Sequence, residues 1–481
     1  MLSRTIASPF YLFAALKLSI INRRTRSQRS ILLITECKMK RSTIVARTLF
    51  LFGLPLVSAQ TLAEDSSPTY SGDLLNRSTL TGDWGGARND LAAKGLTIDF
   101  GLTQIEQGVI GGGKHDIWEY GGRGDLTANL DTQKAGWWPG GFMNLEVEGN
   151  FSRAVNRDTG ALMAVNSSQM YPVTNDGNNL NVSALNFAQF LSHYFGLIVG
   201  KLATITPTSG DMNEFAHGKG DTQFLNMAFN FNPVVAVTVP YSTLGAGAII
   251  LPTADPKEAI VELTVLQTNG SAETSGFNDL DANKLTFAGQ GRFRTDFFGH
   301  TGHQLLGATY SNKSFTSIDQ NFRIFFDGPN AIQEKDGSWN VYYNFDQYLY
   351  EPDKGSGRGI GIFGRLGTSD GNPNPMHYFY SFGVGGKGFI PQRPNDQFGL
   401  GYYSITINNP QFTGPLATRS FLRNEYGFEA FYNAAITPWM VLTPDLQIIR
   451  PAQVDRVNFV PPFRPGITTA KVFGVRLQMY F

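Results

Sequence analysis

Cysteine is all but missing: Cys37 is the only one in 481 residues, and it lies in a basic leader. The body of the chain therefore has neither a disulfide framework nor a thiolate centre. Charge is scarce as well, at 16% of residues, although 42% hydrophobic content excludes general disorder. After Ala63 no uninterrupted apolar run reaches the roughly 18–20 residues that a membrane-spanning helix needs. The six histidines are scattered, and no Ser-His-Asp order sits on a nucleophile elbow. The net charge of zero conceals two unlike regions. Residues 1–59 hold ten Lys and Arg against one acid, Glu36, which leaves 29 bases and 38 acids for the body. A body at −9 is a poor nonspecific partner for nucleic acid.

What the chain does hold is glycine (53), phenylalanine (37) and tyrosine (18). Aromatics suit pleated strands and glycine suits turns, so an all-β fold is expected. From Met39 the leader reads as a secretory signal: Lys40, Arg41 and Arg47, then the apolar Thr48–Val57, then small residues at Val57-Ser58-Ala59, with Thr61-Leu62-Ala63 as a second cleavage option. A start at Met39 is favoured over a longer targeting leader built on Phe10–Ile21. Arg23-Arg24 follows that apolar run instead of preceding it, which argues against a twin-arginine signal. The chain is expected to be exported.

Strict alternation then recurs along the body. Leu96, Ile98, Phe100 and Leu102 oppose Thr97 and Asp99. Leu126, Ala128 and Leu130 oppose Arg123, Asp125, Thr127, Asn129 and Asp131. Met143, Leu145, Val147 and Phe151 oppose Asn144, Glu146, Glu148 and Asn150; Leu285, Phe287 and Phe293 oppose Thr286, Gln290, Arg292 and Arg294. Trp339, Val341, Tyr343 and Phe345 oppose Asn340, Asn344 and Asp346, and Met440, Leu442, Leu446 and Ile448 oppose Thr443, Asp445 and Gln447. A soluble sandwich also alternates. Two features favour a membrane barrel: whole rows of charge on the polar face, and a chain that ends inside a strand on an aromatic. Phe473, Val475, Leu477, Met479 and Phe481 share one face of that last strand. It must pair with the first strand, because lipid offers no partner for free backbone groups.

The expected architecture is a transmembrane antiparallel β-barrel of about 16 strands (16–18), since some 422 residues allow roughly 26 per strand and connection. Residues 1–59 are read as leader, 60–95 as lead-in with a short periplasmic helix over Asp83–Gly95 capped by Gly95, and 96–481 as the barrel. Long loops are expected at 154–182 and 205–221, and one folding inward would narrow the pore.

Several blocks resemble a known family, the carbohydrate-selective outer-membrane porins of the glucose porin type. They include Leu80–Arg88 (LTGDWGGAR), Phe215–Asn226 (FAHGKGDTQFLN), Tyr342–Tyr348, Ser369–Pro375, Gly385–Gly388, Phe431–Asn433, Thr437–Trp439 and Leu442–Gln447. The resemblance runs through nearly the whole mature chain, and only the extended leader departs from it. It implies a sixteen-stranded barrel in the outer membrane of a Gram-negative bacterium, passing monosaccharides such as glucose down their gradient. The expected partners are such sugars and outer-membrane lipid, with homo-oligomers compatible and nucleic acid not expected.

A passive pore is not an enzyme and needs no cofactor or metal; its lining exchanges hydrogen bonds with sugar hydroxyls at weak, multiple sites. The parity above offers Arg123, Asp125, Glu146, Glu148, Arg292, Arg294, Asn344 and Asp346 as inward-facing candidates, with Arg365 from another strand-like stretch. Lys201, Asp211 and Glu214 flank or lie in the candidate constriction loop, and Trp118 and Tyr120 are candidate stacking residues. For each, the bland alternative is a solvated charge that keeps the wall wet. Rival signals are weak. His300-Thr301-Gly302-His303 lacks a third ligand and reads as a turn. Gly383–Gly388 has no Ser or Thr after Lys387 and reads as a strand with glycine kinks. Glu146 and Glu148 lie on one element, whereas a glycosidase needs acids that flank its sugar. The competing functions are a general diffusion porin, an outer-membrane barrel hydrolase and a secreted lectin-like binder.

Overall fold

The computed structural model describes residues 70–172, 180–205, 213–321, 323–409, 412–413, 422–454 and 466–481. The leader, the start of the lead-in and Asp211 lie outside the described residues. In chain order the strands are β1 (Leu96–Gly113), β2 (Trp118–Asp131), β3 (Gly141–Ser152), β4 (Leu180–Ser192), β5 (Phe195–Ala203) and β6 (Ser242–Ile250). They continue as β7 (Ala259–Gln267), β8 (Leu285–Thr295), β9 (Gly302–Thr316), β10 (Gln320–Asn321), β11 (Glu334–Tyr350) and β12 (Gly359–Ser369). The last are β13 (Met376–Lys387), β14 (Gln397–Ile407), β15 (Phe412–Thr413), β16 (Glu425–Thr437), β17 (Met440–Arg450) and β18 (Thr468–Tyr480). All but β10 and β15, which pair with each other, form one closed antiparallel barrel of sixteen strands.

The expected closure is made by β1 and β18, in register from Gly101↔Tyr480 to Val109↔Val472, and the amide of Phe481 donates to the Phe100 carbonyl at 2.8 Å. This ring of pairing leaves the barrel no free edge for lipid to meet. Burial then runs opposite to that of a soluble protein. Outward apolar side chains such as Leu306 (62% exposed) and Val199 (56%) are bare, whereas inward Arg365 and Arg476 are fully buried. The outer face is the one that hydrocarbon covers.

Both described chain ends and the tightest connections, such as 193–194 between β4 and β5, lie at one end of the barrel. Short turns mark the periplasmic end of such barrels and long loops the outer one. The expected N-terminal helix spans Ala87–Ala93, shorter than the segment read from sequence, and ends through Lys94 into Gly95 at φ +83°. A side chain on Gly95 would strike the Asp131 carbonyl, so the chain turns into β1 where only glycine fits. Arg88 on this helix donates to the Ile98 carbonyl and Asp99 on the inner face of β1. The Tyr70 ring covers the Arg88 guanidinium at 3.8 Å.

Two connections at the long-loop end fold inward. The stretch between β3 and β4 carries two 3-10 turns, Val155–Arg157 and Ser168–Met170, with Val155, Met163 and Val165 buried. The β5–β6 connection is much longer than the 205–221 loop read from sequence. It carries 3-10 turns at Met227–Phe229 and Pro233–Val237 and returns to the wall only at Ser242.

Candidate functional site

The β5–β6 segment fills part of the lumen and builds an apolar core there. Phe215, Phe224, Phe229 and Phe231 pack with Phe363, Phe379, Tyr403 and Phe431 from the inner wall. Phe224 lies 4.6 Å from Phe229 and 4.7 Å from Phe431, ring to ring. The wall makes room by dispensing with side chains: a Cβ on Gly401 would sit 2.5 Å from the Phe229 ring, one on Gly399 2.7 Å from Phe224, and one on Gly361 inside the Phe215 ring. Gly383 and Gly385 belong to this cleared inner face of β13, the stretch read from sequence as a glycine-kinked strand. Close-packed rings in a lumen expel water from the groups around them, and buried polar groups there must find partners.

Charged wall residues supply those partners. Arg365 donates to the carbonyls of Phe229 and Ala216. Arg476 donates to those of Gly220 and Gln223, both at 2.8 Å. Glu429 accepts from the amides of Leu225 and Asn226. Glu425 accepts from the amides of Leu162 and Met163 of the neighbouring inward loop, and from the Tyr403 hydroxyl. On the facing wall Lys219 reaches Glu146, Glu148 and the Tyr241 hydroxyl. Arg123 pairs with Asp125 at 2.8 Å and with Asp221 at 3.2 Å. Burial pushes the Asp221 carboxyl up, but the Arg123 guanidinium, the Lys219 amide and ammonium and the Arg476 guanidinium together outweigh it and hold the group below its ordinary range. The carboxylates of Asp125, Glu146 and Glu148 come within 4.8 Å of one another, a spacing a cation could use, yet the Lys219 ammonium already serves the two glutamates.

The sequence candidates thus divide into groups. Arg123, Asp125, Glu146, Glu148 and Arg365 face inward, but Asp125 pairs with Arg123 beside it, and Arg123, Glu146, Glu148 and Arg365 grip the inward segment. Asp346 does the same: it accepts from the Glu214 amide at 3.2 Å and pairs with His303 at 2.8 Å. Arg292, Asn344 and Asp346 border a recess together with Asn213, His303 and Leu305. Glu214, beside it, is raised above the usual carboxylate range by burial, with Asp346 adding to the effect. Arg294 stands lower, at the short-turn mouth, paired with Glu258 at 2.7 Å and Asp296 at 3.1 Å.

Three candidates are corrected. Trp118 and Tyr120 share the outward face with Leu126; Trp118 meets Phe473 and Tyr120 meets Phe151, as interfacial aromatics of a barrel do. Neither ring can stack on a sugar in the lumen. Lys201 lies in register between Leu185 and Leu244, on the face of Leu197 and Val199, and its ammonium donates to the carbonyls of Ala272 and Thr274. For Lys201 nearness to the loop in sequence stood in for parity, and for Trp118 and Tyr120 nearness to the Arg123 stretch did.

Sequence reasoning passed over Lys219, Asp221, Glu425, Glu429 and Arg476 as site residues. The alternation Glu425, Gly427, Glu429, Phe431, Asn433 against Tyr426, Phe428, Ala430 would have placed the two glutamates inward. The dense Phe215, Phe224, Phe229, Phe231 series, without alternation, was the available sign of a buried segment. His300 lies in the β8–β9 turn, where its backbone carbonyl accepts from Gln347, and His303, near the start of β9, bonds through its ring to Asp346.

A closed sixteen-stranded barrel, bare and apolar outside, with a pinned segment narrowing its polar interior, is a pore of the bacterial outer membrane. The chain belongs to the carbohydrate-selective porin, OprB family, whose family model matches residues 117–481. Porin B of Pseudomonas aeruginosa is 25% identical across 92% of this chain and the whole of that protein. The high-pH structure of Pseudomonas putida OprB matches 85% of this chain and all of its own at a TM-score of 0.69 and 20% identity. The low-pH structure of the same protein matches at 0.51 and 17%, over 85% of this chain and 99% of its own. At those identities the structures speak for the fold. The protein is a sugar-diffusion porin.

Proposed function

We propose that this pore passes monosaccharides of the glucose class passively, by diffusion along the recess bordered by Asn213, Arg292, His303, Asn344 and Asp346, with Glu214 beside it and Arg294 at the mouth. The observation that supports this most is the composition of that recess: a guanidinium, two amides, an imidazole and a carboxylate stand together beside the segment that narrows the lumen. A sugar hydroxyl both donates and accepts, so this mixture offers it exchangeable partners without one strong trap. No bond of the sugar is made or broken in this reading, and the recess lies within a single barrel.

Purified protein in liposomes should swell them faster in glucose than in a disaccharide. Equal rates for all small solutes would reduce the protein to a general pore. Arg292→Ala should weaken the half-saturation for glucose by about twofold to tenfold, the loss of one charge-assisted hydrogen bond partly replaced by water. An unchanged half-saturation removes Arg292 from the path.

A further inference from the structure

Two rows of inner-wall side chains near the short-turn end take no part in holding the inward segment. In the first, Asn129, Asn144 and Asn186 stand directly across β2, β3 and β4. The Asn144 amide donates to Asn129 at 2.8 Å, and that of Asn186 to Asn144 at 3.4 Å. At the ends of this ladder, the Asn129 amide nitrogen and the Asn186 side-chain oxygen have no hydrogen-bond partner among the described residues. One position nearer the turns, Phe142 faces Asp131 and Ala188. Its ring meets that of Phe190 edge-on, with centroids 6.0 Å apart.

Phe142 shares its face with Glu146 and Glu148, which hold Lys219 inside the barrel, so this face is the lumen. The ring is nonetheless 38% exposed. A wet wall gains nothing from an apolar ring, which costs free energy for every Å² left in water. An apolar plate beside a strip of amides has the composition that a pyranose matches: C–H groups on its flat face and hydroxyls around its rim.

We propose that Phe142 and Phe190, with the Asn129–Asn144–Asn186 ladder, form a second monosaccharide subsite in the short-turn vestibule, well round the wall from the recess on β8, β9 and β11. The Phe142 ring receives the flat face of the sugar, and the amides exchange hydrogen bonds with its hydroxyls. The subsite shortens the step between the narrow recess and open water, so a sugar leaves through two weak contacts. This proposal rests on the glucose-class reading given above.

The test is single-channel recording of the full-length mature barrel in planar bilayers, with D-glucose added to one side at a time. Association rates are read from current fluctuations. In Phe142→Ala and Asn144→Ala one of the two side-specific rates should fall roughly threefold to tenfold while the other holds, and Phe142→Tyr should retain both. Sugar-free conductance should match the wild type in all three, which confirms a folded pore. Wild-type rates in Phe142→Ala and Asn144→Ala, or an equal fall from both sides, would overturn the subsite and leave the recess reading standing. Absence of any glucose effect on the wild-type current would sink the glucose-class reading and the subsite with it.

Discussion

Replacing Lys219 with Met separates a pinned lumen from a merely wet one. Lys219 is buried, and its ammonium serves Glu146, Glu148 and the Tyr241 hydroxyl. Two cations, Arg123 and Lys219, stand here against Asp125, Glu146, Glu148 and Asp221. Methionine keeps most of the stem and volume and removes the charge, so packing changes little while two buried carboxylates lose their counterion. Breaking a buried pair in this way costs about 3–5 kcal/mol. At 1.4 kcal/mol per tenfold, that is roughly two to three and a half decades in the population of a released segment. Single-channel recording should therefore show a noisier current with a larger mean conductance. Lys219→Met combined with Glu146→Gln and Glu148→Gln should restore a quiet current, since no unpaired charge remains. If Lys219→Met kept wild-type conductance and noise and altered only ion selectivity, these residues would be ordinary solvated charges, and the pinning argument would fail.

Other outcomes follow from the same geometry. Gly401→Val should destabilise the barrel by about 1–3 kcal/mol through overpacking against the Phe229 ring, read as a lower temperature of heat-modifiable gel mobility. Trp118→Ala should leave glucose half-saturation unchanged, because the ring lies outside the barrel; a weakened value would return it to the sugar path. Glu214, raised by burial, should ionise only above the ordinary carboxylate range. Cation preference should therefore grow as pH rises through that raised value, and Glu214→Gln should abolish the step in reversal potential.

The division of labour between sequence and tertiary structure is plain in particular residues. Alternation in Leu96–Leu102 and Lys471–Phe481 was enough to place two solvents on two faces and to require β1 and β18 to meet. A period of two needs no long-range information, because each side chain reports its own face. Parity likewise placed Arg123, Glu146 and Glu148 inward. It could not say whether an inward charge meets water or protein. That was decided by the β5–β6 segment, which brings Lys219, Asp221 and the carbonyls of Ala216 and Phe229 onto strands far away in the chain. Nor could a local pattern show that Gly361, Gly399 and Gly401 are spaces kept for rings of that segment, since the partner that fills a gap has no fixed distance in sequence from it. By itself the sequence determined a closed barrel with a polar inside and an apolar outside, because hydrocarbon and water act on every residue where it stands. Only the folded chain decided which polar side chains remain open to a passing sugar, because that depends on what else has entered the lumen.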